Sequence, residues 1–129
     1  MDYRLVSVRN TPGPLIFYGL NLEYSDKMIE IVDSANVCIL GAKTEPRGTW
    51  VVARNSRNLL ILALAGLRRP IDYPLVDFAG CQDIAFMGLY WPGANTRIVI
   101  DDLGRDRLTR DQFLGLYLQG NPRLVLPAP

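Results

Sequence analysis

Residues 57–69, RNLLILALAGLRR, decide the fold that the sequence predicts. The stretch is rich in Leu and Ala and poor in β-branched residues, which favours a helix. An Asn-Ser pair before it can cap such a helix, Arg68 and Arg69 place cations near its C-terminus, and Pro70 stops it. We therefore predict a buried helix over 57–69. A buried strand is the alternative, and it would widen the sheet.

Shorter apolar runs on both sides of this stretch predict strands. The runs at 3–8 and 15–20 flank a Pro-Gly turn, which indicates a hairpin. The runs at 84–91 and 97–100 flank the loop 92–96, which indicates a second hairpin. Further strands are predicted over 37–40, 49–54 and 123–126.

Two other segments carry helix signals. Ser25 can cap a helix over 26–35, whose apolar residues recur at helical spacing. Thr109 starts the S/T-x-x-E/Q pattern of a capping box before a helix over 109–119. The sequence shows no internal repeat and no interdomain linker. The sequence therefore predicts a single α+β domain over 1–129, with two or three helices packed on a sheet of five to seven strands that is mostly antiparallel, a mixed sheet being allowed.

The composition argues against several kinds of chemistry. The 129 residues include 14 basic and 13 acidic side chains, two Cys and no His. Without His, the usual general base and the commonest zinc ligand are both missing, and two Cys cannot complete a zinc site. The net charge of +1 creates no bulk field that would attract nucleic acid or an anionic membrane. We therefore predict a chain that is not an enzyme and that needs no cofactor and no metal.

The two cysteines, Cys38 and Cys81, lie in separate apolar surroundings. We predict two free thiols, because a small secreted domain held by disulfides would carry more Cys. The N-terminus lacks the basic and apolar regions of a signal peptide, and the longest apolar run, 59–67, is too short to span a bilayer. These features predict a cytoplasmic location without a membrane partner.

Aromatic, Arg and Asp side chains predict a protein-binding surface, because aromatic residues and Arg are enriched where interfaces derive most of their affinity. Prolines on both sides of Tyr73 fix an extended segment after two arginines, which lowers the entropy cost of docking. The predicted partner-binding residues are Arg68, Arg69, Tyr73, Tyr90, Trp91, Asp101 and Asp102. The function predicted is a non-catalytic protein-binding domain, most concretely an inhibitor or immunity protein that occludes a toxin or enzyme.

Three other functions keep some support from the sequence. Asp101 and Asp102 follow an apolar strand, where carboxylates can bind Mg²⁺, so a Mg-dependent enzyme is one alternative, although neighbouring arginines favour a plain acidic turn. Trp50 and Arg54 share one face of a strand and, with Arg97, could bind single-stranded nucleic acid. The third alternative is a structural subunit of an assembly, which a large exposed apolar patch would indicate.

Overall fold

The computed structural model describes residues 4–23, 27–45, 48–66, 73–74, 76–90, 98–100, 106–108 and 116–128. These residues form eleven strands: β1 (Arg4–Arg9), β2 (Leu15–Glu23), β3 (Lys27–Val32), β4 (Ala35–Glu45), β5 (Thr49–Arg54), β6 (Arg57–Gly66), β7 (Val76–Ala79), β8 (Gln82–Tyr90), β9 (Ile98–Ile100), β10 (Asp106–Leu108) and β11 (Leu116–Gln119).

From β1 to β9 the strands alternate between two sheets along the chain. Sheet A has the order β1-β3-β5-β7-β9-β10, and sheet B has the order β11-β8-β6-β4-β2. Neighbouring strands run parallel, except that β10 is antiparallel to β9 and β11 is antiparallel to β8. Each of the first four coils adds one strand to each sheet, so the protein is a two-sheet parallel β-solenoid in which a coil contacts mainly its neighbours.

The coils repeat at a nearly constant interval. In sheet B, Leu15 lies beside Val37, Val37 beside Leu59, and Leu59 beside Ile84, which are steps of 22, 22 and 25 residues. The prediction of no internal repeat is therefore wrong. Equivalent positions in successive coils have similar polarity and backbone conformation but different residue types. Parallel strands can stack when polarity and backbone conformation match, even if the residue types differ.

The core lies between the inner faces of the two sheets. Parallel strands buried in this way favour continuous apolar runs. Phe78 of sheet A and Phe86 of sheet B meet edge to face, with ring centroids 6.5 Å apart and an interplanar angle of 70°. The other fully buried large side chains of the described chain are Trp50, Ile29, Ile31, Ile39, Leu59, Ile61 and Ile84.

A bulge in sheet B changes which residues face the core. Gly19, Gly41 and Ala63 occupy equivalent places in β2, β4 and β6, and all have positive φ, at 57°, 68° and 59°. Phe17 faces the core before the bulge, and Leu20, three residues later, faces the core after it. The extra residue therefore shifts the alternation of inward and outward side chains by one position: odd-numbered residues of β2 face the core before the bulge, and even-numbered residues face it afterwards.

The α+β fold class predicted from the sequence is wrong, because the described residues form no helix and most neighbouring strands are parallel. The stretch 57–69 shows the cause. Its residues 57–66 form β6, which lies between β4 and β8 in sheet B. Burial in the middle of a parallel sheet outweighs the helix propensity of Leu and Ala, since propensity is a weak prior that tertiary packing overrides.

Other predicted elements also differ from the structure. The helix over 26–35 is wrong, because β3 and the start of β4 occupy it. Residues 116–119 of the helix predicted over 109–119 form β11, and 109–115 lie outside the described residues. Neither hairpin forms, because β1 pairs with β3, β2 with β4, and β9 with β7. Residues 123–126 form no strand.

The strands predicted over 3–8, 15–20, 37–40, 49–54, 84–91 and 97–100 are confirmed where they are described, as parts of β1, β2, β4, β5, β8 and β9.

Within the described segments there is no helix long and apolar enough to cross a membrane.

Candidate functional site

Two of the seven partner-binding residues predicted from the sequence lie in the described part of the chain. Arg68, Arg69, Trp91, Asp101 and Asp102 lie outside the described residues. Tyr73 is described, and 58% of it is exposed. Tyr90 ends β8, where its backbone pairs with Gly66 of β6. The described part of the chain therefore brings none of these residues together.

The residues behind the other functions have mixed outcomes. Trp50 is 1% exposed, so its ring cannot stack on a base. Arg54 forms an ion pair with Asp77 of the neighbouring strand, with Nη2 2.5 Å from Oδ2. Arg97 lies outside the described residues, as does the acid pair proposed for Mg²⁺. The described residues contain no group of three or more metal-ligating side chains placed to hold an ion.

The chain turns from sheet A to sheet B at a corner built on stacked hydroxyl and thiol groups. Thr11, Ser34, Ser56 and Cys81 occupy this place in successive coils, and we call them the hydroxyl ladder. Ser34 and Ser56 each donate to the carbonyl two residues earlier, at 2.7 Å, and Cys81 Sγ does so at 3.4 Å. The Ser34 amide donates to Ser56 Oγ at 3.1 Å. The ladder thus satisfies buried main-chain groups where the strands stop.

A second stack precedes the hydroxyl ladder by one residue. Asn10, Asp33, Asn55 and Gly80 form this stack, which we call ladder 1, and all four have positive φ. Asn, Asp and Gly tolerate this left-handed conformation best. Asn55 Nδ2 donates to Asp33 Oδ1 at 3.3 Å. A Cβ at residue 80 would lie 2.4 Å from Asn55 Oδ1, so Gly80 lets that coil approach closely.

A third stack, ladder 2, lies on the sheet B side of the corner and consists of Asn36, Asn58 and Asp83. All three again have positive φ, at 56°, 53° and 54°. Asn58 Nδ2 donates to Asn36 Oδ1 at 2.7 Å, and Asn36 Nδ2 donates to the Pro12 carbonyl at 2.8 Å. In ladder 2 the side-chain amides of Asn58 and Asn36 therefore form a hydrogen-bonded chain along the solenoid axis, and the Asp83 carboxylate follows them in the next coil.

The C-terminal segment lies along ladder 2. The Asn121 amide donates to Asp83 Oδ1 at 2.8 Å, and the Arg123 amide donates to Asn58 Oδ1 at 2.7 Å. Alternate main-chain N–H groups therefore meet the side-chain oxygens of adjacent coils. Pro122 is partly buried, and residues 124–128 are exposed, including Leu124 and Leu126, at 52% and 64%.

An open groove of about 660 Å³ follows the corner beside ladder 1. Its floor is formed by Ser34, Ala35 and Ser56, which are small and buried. Its exposed wall includes Arg57 and Gln82. Ladder 1 forms the opposite side of the groove.

The outer face of sheet B is apolar. Strand residues that alternate with the core residues form two apolar rows across the sheet. The rows consist of Ile16, Cys38, Leu60, Ala85 and Leu118, and of Tyr18, Leu40, Leu62 and Met87. Tyr18 and Leu118 are 68% and 60% exposed, and the leucines and Met87 are partly exposed. Adjoining apolar side chains on an exposed sheet face typically mark an interaction surface.

Cys38 lies within this face and is 3% exposed. Cys38 and Cys81 are both free thiols, which confirms that prediction. Burial raises the pKa of the Cys38 thiol above its ordinary value, because apolar neighbours disfavour the thiolate. Cys38 is therefore an unreactive apolar side chain rather than a nucleophile.

The raised pKa predicts a pH dependence of stability. The folded chain holds the Cys38 proton more tightly than the unfolded chain, so this contribution is complete below the unfolded pKa of about 8.5 and is lost as pH rises through the folded pKa. Urea denaturation should show wild type losing stability relative to Cys38→Ala between about pH 7.5 and about pH 10. An equal pH dependence in the two proteins would contradict this assignment.

No family model matches the sequence, and no solved structure matches the chain. The sequence does contain a signal for the corner. An Asn or Asp followed by Thr or Ser occurs at Asn10-Thr11, Asp33-Ser34 and Asn55-Ser56, and an apolar run follows each pair. The steps of 23 and 22 residues between these pairs would have predicted stacked coils.

Proposed function

We propose that this chain is a non-catalytic protein-binding domain that docks a partner on the outer face of sheet B. The observation that supports the proposal is the double row of apolar side chains across this sheet, ending in the exposed Tyr18 and Leu118. Transfer of such a surface from water to a complementary protein surface is favourable in proportion to the apolar area removed.

The chemistry of the face favours a protein partner. Its leucines, Met and Tyr supply shape and apolar area, and the described rows before the bulge offer no cation for a phosphate. Nucleic-acid binding depends on Lys and Arg at phosphates. A partner with a matching apolar surface therefore fits this face better than a nucleic acid does.

Within this class, an inhibitor or immunity protein that occludes a toxin or enzyme is the more specific proposal. A rigid sheet face supports it, because a preformed surface loses little conformational entropy on docking. A permanent subunit of an assembly is the competing role, and the same apolar face supports it. Exchange of labelled chain in the purified complex separates the two, since an inhibitor is released and a permanent subunit is not.

The test replaces two neighbouring apolar residues by cations. A tagged chain should recover a stoichiometric partner from the cells that make it, and Leu40→Lys/Leu62→Lys should weaken binding to that purified partner at least tenfold by surface plasmon resonance. The matched control is Asn21→Lys, an exposed position on the same sheet beyond the bulge. Circular dichroism checks that both variants fold. Recovery of no other protein, or equal binding by both variants, would contradict the proposal.

We further propose a cytoplasmic location. Support comes from the two thiols, Cys38 and Cys81, which are free in the structure, as is usual for proteins in reducing compartments. Cell fractionation with a tagged chain tests the location, and recovery from an extracytoplasmic fraction would contradict it.

A further inference from the structure

The structure describes the side chains of four arginines, and these form two groups. Arg9 and Arg54 each form an ion pair with a carboxylate of the neighbouring strand in sheet A. Arg57 and Arg123 make their described hydrogen bonds only through their main-chain amides. Within the described part of the chain, neither of these two guanidinium groups has an ion pair or a hydrogen bond. Their two positive charges are therefore not balanced by a neighbouring carboxylate.

Arg57 and Arg123 line the same open cavity, of about 330 Å³, between the C-terminal segment and ladder 2. Arg57 is the first residue of β6. Arg123 belongs to the C-terminal segment, which is held here because the Arg123 amide donates to Asn58 Oδ1 at 2.7 Å. Both side chains are exposed. Two distant parts of the chain therefore bring two accessible cations to one concave site.

The other polar groups of the cavity leave it positively charged and able to donate. Asn58 Nδ2 and Asn36 Nδ2 each use one hydrogen within ladder 2, and a side-chain amide nitrogen carries two. Among the described residues that line the cavity, Asp83 is the only carboxylate, and its Oδ1 accepts the Asn121 amide at 2.8 Å. Asp83 forms no described ion pair with either arginine. An anionic ligand is therefore what the cavity suits.

We propose that this cavity binds a phosphate group, as the free ion or as a small phosphomonoester, through the guanidinium groups of Arg57 and Arg123. Guanidinium groups donate to phosphate oxygens in pairs, and a phosphate dianion has the oxygens and the charge for two of them. A carboxylate carries one charge and would leave one arginine unbalanced. The volume lies at the lower end of the range for small-molecule pockets, which favours a small ligand over a phosphorylated protein.

This site uses none of the residues of the two apolar rows and goes beyond the function proposed above. The probes are inorganic phosphate and glycerol phosphate, each titrated into the ¹⁵N-labelled full chain at constant ionic strength. We expect saturable shifts of the Nε–Hε signals of Arg57 and Arg123, with those of Arg9 and Arg54 unchanged. Tighter binding of glycerol phosphate would identify an ester as the ligand, and tighter binding of inorganic phosphate would identify the free ion.

Substitutions in the cavity should change the affinity in opposite directions. Arg57→Gln and Arg123→Gln should each weaken phosphate binding about tenfold, because each removes one of the two cations. Asp83→Asn should strengthen it about threefold, because it removes a negative charge from the cavity. The new amide oxygen can still accept from Asn121, and Asn tolerates the positive φ of residue 83.

The matched control is Arg9→Gln, which removes a cation outside the cavity and should leave phosphate binding unchanged. The amide spectrum of each variant checks that it folds. The proposal is overturned if neither anion gives saturable shifts at Arg57 and Arg123, if all four arginines shift alike, or if both cavity variants bind as tightly as wild type. Binding of a phosphoserine peptide but of neither small anion would also overturn it. Partner binding through the apolar rows is measured separately, so either proposal can fail alone.

Discussion

Phe86→Ala is expected to lower the free energy of unfolding by about 3–5 kcal/mol. Phe86 is fully buried in sheet B, and its ring meets that of Phe78 from sheet A. Removing the ring reduces the buried apolar area and leaves a cavity between the two sheets. Within each sheet, hydrogen bonds hold every strand to its neighbours. Such a frame cannot close readily over the gap, so we expect the upper part of the range.

Urea denaturation followed by circular dichroism measures this loss. The control is Met87→Ala on the same strand, which removes a side chain from the outer face and should cost less than about 1.5 kcal/mol. Equal losses at the two positions would mean that the inward and outward faces of β8 have been assigned incorrectly.

Ser56→Ala is expected to lower the free energy of unfolding by about 2–3 kcal/mol. The Ser56 hydroxyl accepts from the Ser34 amide at 3.1 Å and donates to the Arg54 carbonyl at 2.7 Å. In the variant, the Arg54 carbonyl still accepts a hydrogen bond from the Asp33 amide, at 3.0 Å. The Ser34 amide loses its only described acceptor at a buried corner, and this unsatisfied donor accounts for most of the cost.

The contrasting variant is Cys81→Ser in the same ladder. Ser at this place can donate to the Ala79 carbonyl as Ser34 and Ser56 donate in their own coils, so the change should cost less than about 1 kcal/mol. Cys38→Ser buries a hydroxyl among apolar side chains and should cost about 1–3 kcal/mol. Equal losses of stability in Ser56→Ala, Cys81→Ser and Cys38→Ser would contradict the role assigned to the hydroxyl ladder.

The sequence predicted individual strands better than their arrangement. The run at 49–54 has strong β propensity, and it forms β5 with the predicted boundaries. The run at 57–69 contains residues that favour helices in isolation, and only its place between β4 and β8 makes it a strand. The hairpins failed for a related reason, because turn residues show where a chain reverses but not which sheet the next strand joins.

The candidate sites were harder to predict than the strands. Asn10, Asp33 and Asn55 are ordinary loop residues one at a time, and their meaning comes from being stacked in adjacent coils. Trp50 illustrates the opposite error, because an aromatic residue beside Arg54 suggested base stacking, yet its ring is buried. Leu40 and Leu62 were read only as apolar residues of a predicted strand and helix, because the sequence does not show that sheet B has a second apolar face.

The 22-residue step between coils has a consequence for how such a protein can change in evolution. Duplication of 22 consecutive residues within 15–59, where the step in sheet B is 22, inserts a whole coil whose ends meet the existing coils in register. The inserted coil would lengthen each polar ladder by one member and add two side chains to the outer face of sheet B. Loss of a single residue within a strand would instead turn every later side chain of that strand to the opposite face. The area of the outer face of sheet B can therefore increase or decrease by whole coils, so selection can act on it through the number of coils.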